Sequence, residues 1–290
     1  MFLQQLVNGI SVGGIYAMIS IGYALIYSLL GFSNWAHGDV AMIGAYIGFL
    51  FFATAKLPFP IALIIAIVGA GLLSLLNERI AYRRIRKNNS PTMFLMIAAM
   101  GVSTILQNFI TVTVGPKFLT YPTVVSVSTI KIGKLHIGVL DAVSLLVVLI
   151  SIILLILLLN KTRFGLALKA CASNIAVASI LGINVDAYVM WVFFLAGSYA
   201  GLAGVLLGMK YTVYPQLGNV SLKAFIASVF GGLGSVPGAI IGGLFIGIME
   251  GMITAFVNPG LRDIFTFSFL IIVLLIRPSG LFGKNVSQKA

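Results

Sequence analysis

Five stretches of this chain contain no Asp, Glu, Lys or Arg: residues 1–38, 57–77, 88–116, 187–209 and 224–249. A helix needs about 20 apolar residues to cross the hydrocarbon layer of a bilayer, and most of these blocks reach that length. Only 8% of the residues are charged and 60% are hydrophobic, against about 25% charged in an ordinary soluble domain. A soluble fold of this composition would lack the polar side chains to cover itself. A soluble enzyme is therefore excluded, and the chain reads as an integral membrane protein.

The expected fold is all-α and polytopic, one transmembrane domain over residues 1–290, with segments near 5–30, 39–55, 59–78, 92–114, 139–159, 187–209, 223–250 and 263–277. A cleavable signal peptide is not expected, because residues 1–8 carry no charge where such a signal needs a basic region. The net charge of +12 points to basic loops on the cytoplasmic side of a membrane rather than to nucleic acid. Three clusters carry much of it: Arg79, Arg83, Arg84, Arg86 and Lys87; then Lys161, Arg163 and Lys169; then Arg277, Lys284 and Lys289. Placing all three in the cytoplasm puts loop 115–138 outside, as a short extended cap, and parity puts the N-terminus outside as well. A cytoplasmic C-terminus then requires that 223–250 enter and turn back. The place for the turn is Gly231-Gly232-Leu233-Gly234-Ser235-Val236-Pro237-Gly238, since Gly and Pro at this density end a helix. Non-helical backbone at membrane depth survives only where it is buried or lines a wet cavity. A re-entrant broken helix is expected here, the alternative being one long kinked helix. Glycines spaced by four (Gly44/Gly48, Gly197/Gly201, Gly204/Gly208, Gly238/Gly242, Gly243/Gly247) predict close helix packing.

No P-loop, HExxH, GxSxG or CxxC motif is present, and the lone Cys171 makes neither an internal disulfide nor a multi-cysteine metal site. No metal or cofactor is expected on this chain. Three polar features remain. Ser33-Asn34-Trp35-Ala36-His37-Gly38-Asp39 is either an interfacial loop with Trp35 in the aromatic belt or a turn lining a pathway. Gln107-Asn108 either bonds to a neighbouring helix or touches solute. The segment 161–186 reads as a short cytoplasmic helix closed by Gly182 at its C′ position, lying on the membrane or docked to a protein. Glu250, Arg262 and Asp263 fall near helix ends, where snorkelling or local pairing is the default.

Gly13-Gly14-Ile15-Tyr16-Ala17, Asn34-Trp35-Ala36-His37-Gly38-Asp39, Leu106-Gln107-Asn108, Thr162-Arg163-Phe164-Gly165, Leu181-Gly182-Ile183-Asn184 and the 231–238 glycine run occur in this order. Together they resemble the LivH-type permease of the branched-chain amino-acid ABC importers, over nearly the whole chain. Trp35 stands where Phe is usual and Asp39 where Glu is usual. Lys169 replaces a common Arg, and Ser173 and Asn174 replace residues that are often acidic.

The resemblance implies a bacterial inner-membrane subunit paired with a LivM-like second permease. Two cytoplasmic ATPases, which use the ATP, and an extracytoplasmic solute-binding protein complete such a complex, with membrane lipid around it. It implies that Asn34, Trp35, His37, Asp39, Gly231, Gly232, Gly234 and Pro237 flank the pathway, and that Arg163, Gly165, Lys169, Ala170 and Gly182 belong to the loop that seats on an ATPase; Gln107 and Asn108 join the candidate pathway residues for their amides alone. The solute would be leucine, isoleucine or valine, moved by alternating access. A permease for an amide, urea or another amino acid, an ion-coupled secondary transporter and a channel are the alternatives. An ion-coupled mechanism would need a buried mid-membrane carboxylate, and Asp39, Asp141 and Glu250 all map near segment ends.

Overall fold

A computed structural model describes residues 2–283 apart from 89, 124–128 and 133–134; Lys134, Lys284 and Lys289 lie outside them. The helices are α1 (Phe2–Leu30), α2 (His37–Phe49), α3 (Phe59–Asn77), α4 (Arg83–Lys87), α5 (Thr92–Thr113), α6 (Val139–Lys161), α7 (Arg163–Ser173), α8 (Ile175–Ile180), α9 (Val185–Lys210), α10 (Ser221–Gly231), α11 (Val236–Phe256) and α12 (Arg262–Ile276). Single π-helical stretches extend α2 to Thr54 and α3 to Tyr82. Among the described residues, eight helical segments, counting such extensions, are long and apolar enough to cross a membrane.

The long helices run between two ends of the bundle. At the hairpin end, β1 (Thr129–Ile132) pairs antiparallel with β2 (Leu135–Gly138), and Leu119 bridges to Val213 beyond α9. This is the expected extended cap. The basic end carries α4, Lys161, Arg163, Lys169 and Arg277. Its helix starts are capped: Thr162, Asn174, Asn184 and Ser235 each accept the N–H three residues on, at 3.1–3.2 Å. These side chains satisfy donors that would otherwise be orphaned at a helix N-terminus. At α3 and α5 the starts are set instead by Pro58 and Pro91, whose rings fix φ and remove an N–H the first turn does not use.

α1 is the central helix, and its antiparallel partner is α11. A Cβ on Gly251 would lie 3.2 Å from the Gly9 Cα, and one on Gly9 2.8 Å from the Ile248 Cα, so bare backbones form this seam. α2 runs parallel to α9 in the same way, with Gly44 against Gly201. Most of the glycines spaced by four thus serve close packing, as expected. Outward faces of α5, α6 and α12 expose large apolar side chains such as Phe109, Leu154 and Leu275, as lipid-facing helices do.

The expected break in 223–250 is present at Gly232–Ser235, but it lies at a different depth. The turn sits at the basic end, beside Tyr27 and Ser28 of α1. The stretch after α12 closes on it through Leu281 N–H to Phe230 O and Phe282 N–H to Gly231 O, both 2.9 Å. α11 alone, 21 residues long, covers about 31 Å and is a complete span. α10, 11 residues long, covers about 16 Å, so the half-helix is α10 only. Its missing half is the stretch 211–220, which ends in a short 3-10 turn at Leu217–Val220.

Candidate functional site

Two irregular stretches lead into helices that start inside the bundle. After α1 ends, Gly31 (φ +64°) turns the chain back, and residues 32–36 climb to the start of α2. The climb is held by Asn34, whose Oδ1 accepts the Ala36 N–H at 3.2 Å and the Tyr82 O–H at 2.9 Å. His37 arrives beside Gly22 and the Ala196 carbonyl, at the middle of α9. Residues Phe32 to Asn34 and Ala36 to Val40 are buried, so the interfacial-loop reading of 33–39 is corrected: this is a buried turn at mid-depth. Trp35 is half-buried against Phe225, ring centres 5.8 Å apart, rather than in an aromatic belt.

The second stretch, 211–220, descends from the end of α9 to the start of α10. The two starts meet. A Cβ on Gly38 would collide with the Gly218 carbonyl and lie 2.6 Å from the Ser221 Cβ; one on Gly218 would lie 3.1 Å from the Asp39 N–H nitrogen. Each start carries glycine, an Asx residue and valine: Gly38-Asp39-Val40 and Gly218-Asn219-Val220. One unit of long helix, break and second helix runs toward the basic end first and the other away from it, so the pair forms an inverted repeat crossing at these glycines. That recurrence is visible in the sequence but was not read from it.

Asp39 sits in the first turn of α2, at the positive end of the helix macrodipole. It accepts hydrogen bonds from Ser103 Oγ at 2.5 Å and Gln107 Nε2 at 2.9 Å, from the middle of α5. Asp39 does lie at a segment end, the first turn of α2, but that end is inside the bundle, so it is a buried carboxylate held by neutral donors. His37 is fully buried, packed edge-on to Tyr23 with ring centres 4.9 Å apart, and both its ring nitrogens lack a partner. Gln107 thus joins Asn34, His37 and Asp39 in one cluster. Asn108 does not: its Nδ2 donates to Thr104 O on its own helix, on an exposed face. Gly231, Gly232, Gly234 and Pro237 lie at the basic-end turn, a half-helix away from Asp39.

Segment 161–186 forms two helices rather than the single one expected. Asn174, extended at φ −159°, separates α7 from α8. α8 closes as expected on Gly182 (φ +83°), with Gly182 N–H to Ser179 O and Ile183 N–H to Ala178 O, both 3.0 Å, the paired bonds of a Schellman motif. Gly165 packs on the last turn of α6, where a Cβ would lie 2.6 Å from the Leu159 Cα; it is a packing residue. Arg163, Lys169 and Gly182 are exposed and Ala170 is half-buried. Leu166, Val177, Ile180 and Leu181 are also exposed, Ile180 at 84%.

Charges the sequence left unpaired are paired in space. Asp186, opening α9, meets Arg83 (3.3 Å), Arg86 (2.7 Å) and Lys87 (3.3 Å), and Arg86 also holds the fully buried Glu78 at 3.0 Å. At the hairpin end Lys210 pairs with Asp141 at 2.5 Å. Glu250 is buried and bonds Lys223 at 2.7 Å, Tyr16 Oη at 2.9 Å and Thr266 Oγ1 at 3.3 Å. It pairs across helices and does not snorkel. Among the described residues no group of three His, Cys, Asp or Glu could hold a metal.

Residues 5–274 match the family described as "branched-chain amino acid transport system / permease component". The chain is 37% identical to the high-affinity branched-chain amino acid transport system permease protein LivH of Salmonella typhimurium, over 99% of this chain and 97% of that one. It is 34% identical to the BraD permease protein of Pseudomonas aeruginosa, over 99% and 98%. Among solved structures it superposes on PsaBC from Streptococcus pneumoniae, in complex with Fab, with TM-score 0.52 and 18% identity over 96% of this chain and 93% of that one, which shows a shared fold. The chain belongs to the family of permease components of branched-chain amino-acid transport systems.

Proposed function

We propose that the chain is the membrane-spanning subunit of an ATP-driven importer of leucine, isoleucine and valine in a bacterial cytoplasmic membrane. The observation that carries this is the full-length likeness to LivH and BraD permeases, joined to an exposed apolar face on α7–α8 in a chain with no nucleotide-binding motif. By the positive-inside rule the basic end is cytoplasmic, and the C-terminus with it. Solvent-exposed apolar patches mark interaction surfaces, so Leu166, Val177, Ile180 and Leu181 seat one of two cytoplasmic ATP-binding subunits. A LivM-like permease completes the pore, and an external solute-binding protein delivers the substrate to the hairpin end. No cofactor binds this chain; ATP is used by the partner subunits. α8 leads directly into Asp186 and its ties to α4, so motion of the docked segment passes to α9 and α3. The crossing of α2 and α10 is the element that would switch between outward-open and inward-open states, because two helix starts meet there inside the bundle on bare glycines.

The test is co-purification of ATPase subunits from solubilised membranes, with leucine uptake into proteoliposomes. Wild type retains ATPases and takes up leucine only with ATP and the binding protein. Ile180→Asp with Leu181→Asp, both on exposed positions, loses the ATPases while its helical content and thermal stability stay those of the wild-type permease. Uptake without any ATPase overturns the proposal and makes Asp39 the candidate for ion coupling.

A further inference from the structure

At the hairpin end, the first turns of α1 and the ends of α6, α9, α11 and α12 surround a cavity of about 280 Å³. Its walls carry charge of both signs: Asp141 and Lys210 on one side, Glu250 and Arg262 on the other, with the amides of Gln5 and Asn8 between. The floor is the α1–α11 seam, where Gly9, Gly247 and Gly251 present backbone and no side chain.

Asp141 and Lys210 neutralise one another, with Ser11 Oγ donating to the same carboxylate oxygen at 2.8 Å. Glu250 and Asp263 are balanced by Lys223 and Arg262. A solute with a net charge would enter at an electrostatic cost, in a region where the surrounding medium screens charge poorly. A solute carrying one charge of each sign would not. Arg262 lines the cavity with a side chain that is 40% exposed, and its guanidinium offers a donor there, its carboxylate neighbours lying no closer than 3.6 and 4.0 Å. The volume is at the small end of the roughly 300–1,000 Å³ of ligand pockets, so it admits a single small molecule and excludes a nucleotide or a peptide.

We propose that this cavity is a binding site, within one permease subunit, for a small zwitterion. Arg262 takes the carboxylate, Glu250 and Asp141 face the ammonium group, and an apolar side chain lies along Val12 and the glycine floor. That the zwitterion is a branched-chain amino acid rests on the function proposed above; that the site takes a zwitterion rests on its charges alone.

Thr254 lines the cavity, and the native Cys171 is 1% exposed, so Thr254→Cys supplies one accessible thiol with a near-isosteric change. The probe is a membrane-impermeant methanethiosulfonate, applied to the assembled importer in proteoliposomes without the solute-binding protein. Leucine at ten times its dissociation constant should slow labelling about tenfold by simple occupancy. 4-Methylpentanoate and isoamylamine, each lacking one charge, should not protect at the same concentration. Adding Arg262→Gln or, as a gentler change, Gln5→Ala should weaken protection by leucine while the unprotected labelling rate stays the same. Uptake of leucine by the same proteoliposomes, once ATP and the solute-binding protein are added, tests the proposed function separately. Uptake without protection, or equal protection by the singly charged analogues, overturns the cavity site alone. Protection without uptake supports the site and overturns the function.

Discussion

Replacing Lys223 by Met separates a charge that is buried for stability from one that is merely nearby. The Lys223 side chain is 13% exposed and that of Glu250 is 4% exposed, and their charged atoms are 2.7 Å apart. Removing one member of a buried ion pair costs about 3–5 kcal/mol, because the other charge is left uncompensated. Here Glu250 keeps the hydroxyls of Tyr16 and Thr266, and Arg262 lies 4.0 Å away. Those partners place the expected loss at the low end, about 3 kcal/mol. The second contact of Lys223, to Asp263 at 2.9 Å, adds little because Asp263 is 60% exposed. The double variant Lys223→Met, Glu250→Gln removes both charges and should return to within about 1 kcal/mol of wild type, regaining about 2 kcal/mol over Lys223→Met alone. Equilibrium unfolding in mixed micelles, titrated with denaturing detergent, reads all four corners of the cycle. If Lys223→Met is as stable as wild type, or the double variant is no better than the single one, the reasoning from buried pairing is wrong.

Three further outcomes follow from the same geometry. Asp39→Leu leaves the Ser103 hydroxyl and the Gln107 amide without their acceptor and should cost about 1–3 kcal/mol per group, whereas Asp39→Asn, which retains an acceptor oxygen, should cost less in the same unfolding titration. Gly182→Ala forces a side chain into a left-handed backbone (φ +83°) and should destabilise the end of α8 by about 1 kcal/mol, seen as faster hydrogen exchange confined to residues near 175–185. Burial pushes the Cys171 thiol above its ordinary range, so the thiolate is scarce at neutral pH; maleimide labelling of wild type should be slow at pH 7, and raising the pH should speed it only at values above those needed for a free cysteine.

Much of the architecture was legible in residue order. Uncharged blocks of span length and clustered arginines and lysines report the membrane, the number of segments and the basic end, because each is a local property of 20 or so residues. Gly182 as a helix stop was legible for the same reason. The inverted repeat could have been found from Gly38-Asp39-Val40 and Gly218-Asn219-Val220, but three residues make a faint signal.

What the sequence by itself determined was therefore solvent and span: which stretches lie in lipid, where they end, and which end is basic. The tertiary structure alone decided how deep each polar residue sits and what faces it. Asp39 follows a loop and precedes a helix, so residue order places it at a boundary; only the fold carries residues 31–36 back into the bundle and sets Ser103 and Gln107 opposite. Glu250 meets Lys223, Asp141 meets Lys210 and Asp186 meets Arg86 across separations of 27 to 100 residues. In a low-dielectric interior a polar or charged group is costly unless an opposite charge or hydrogen-bond donors face it, and which residues do so is settled by helix packing, through glycine seams whose register fixes every height above and below them.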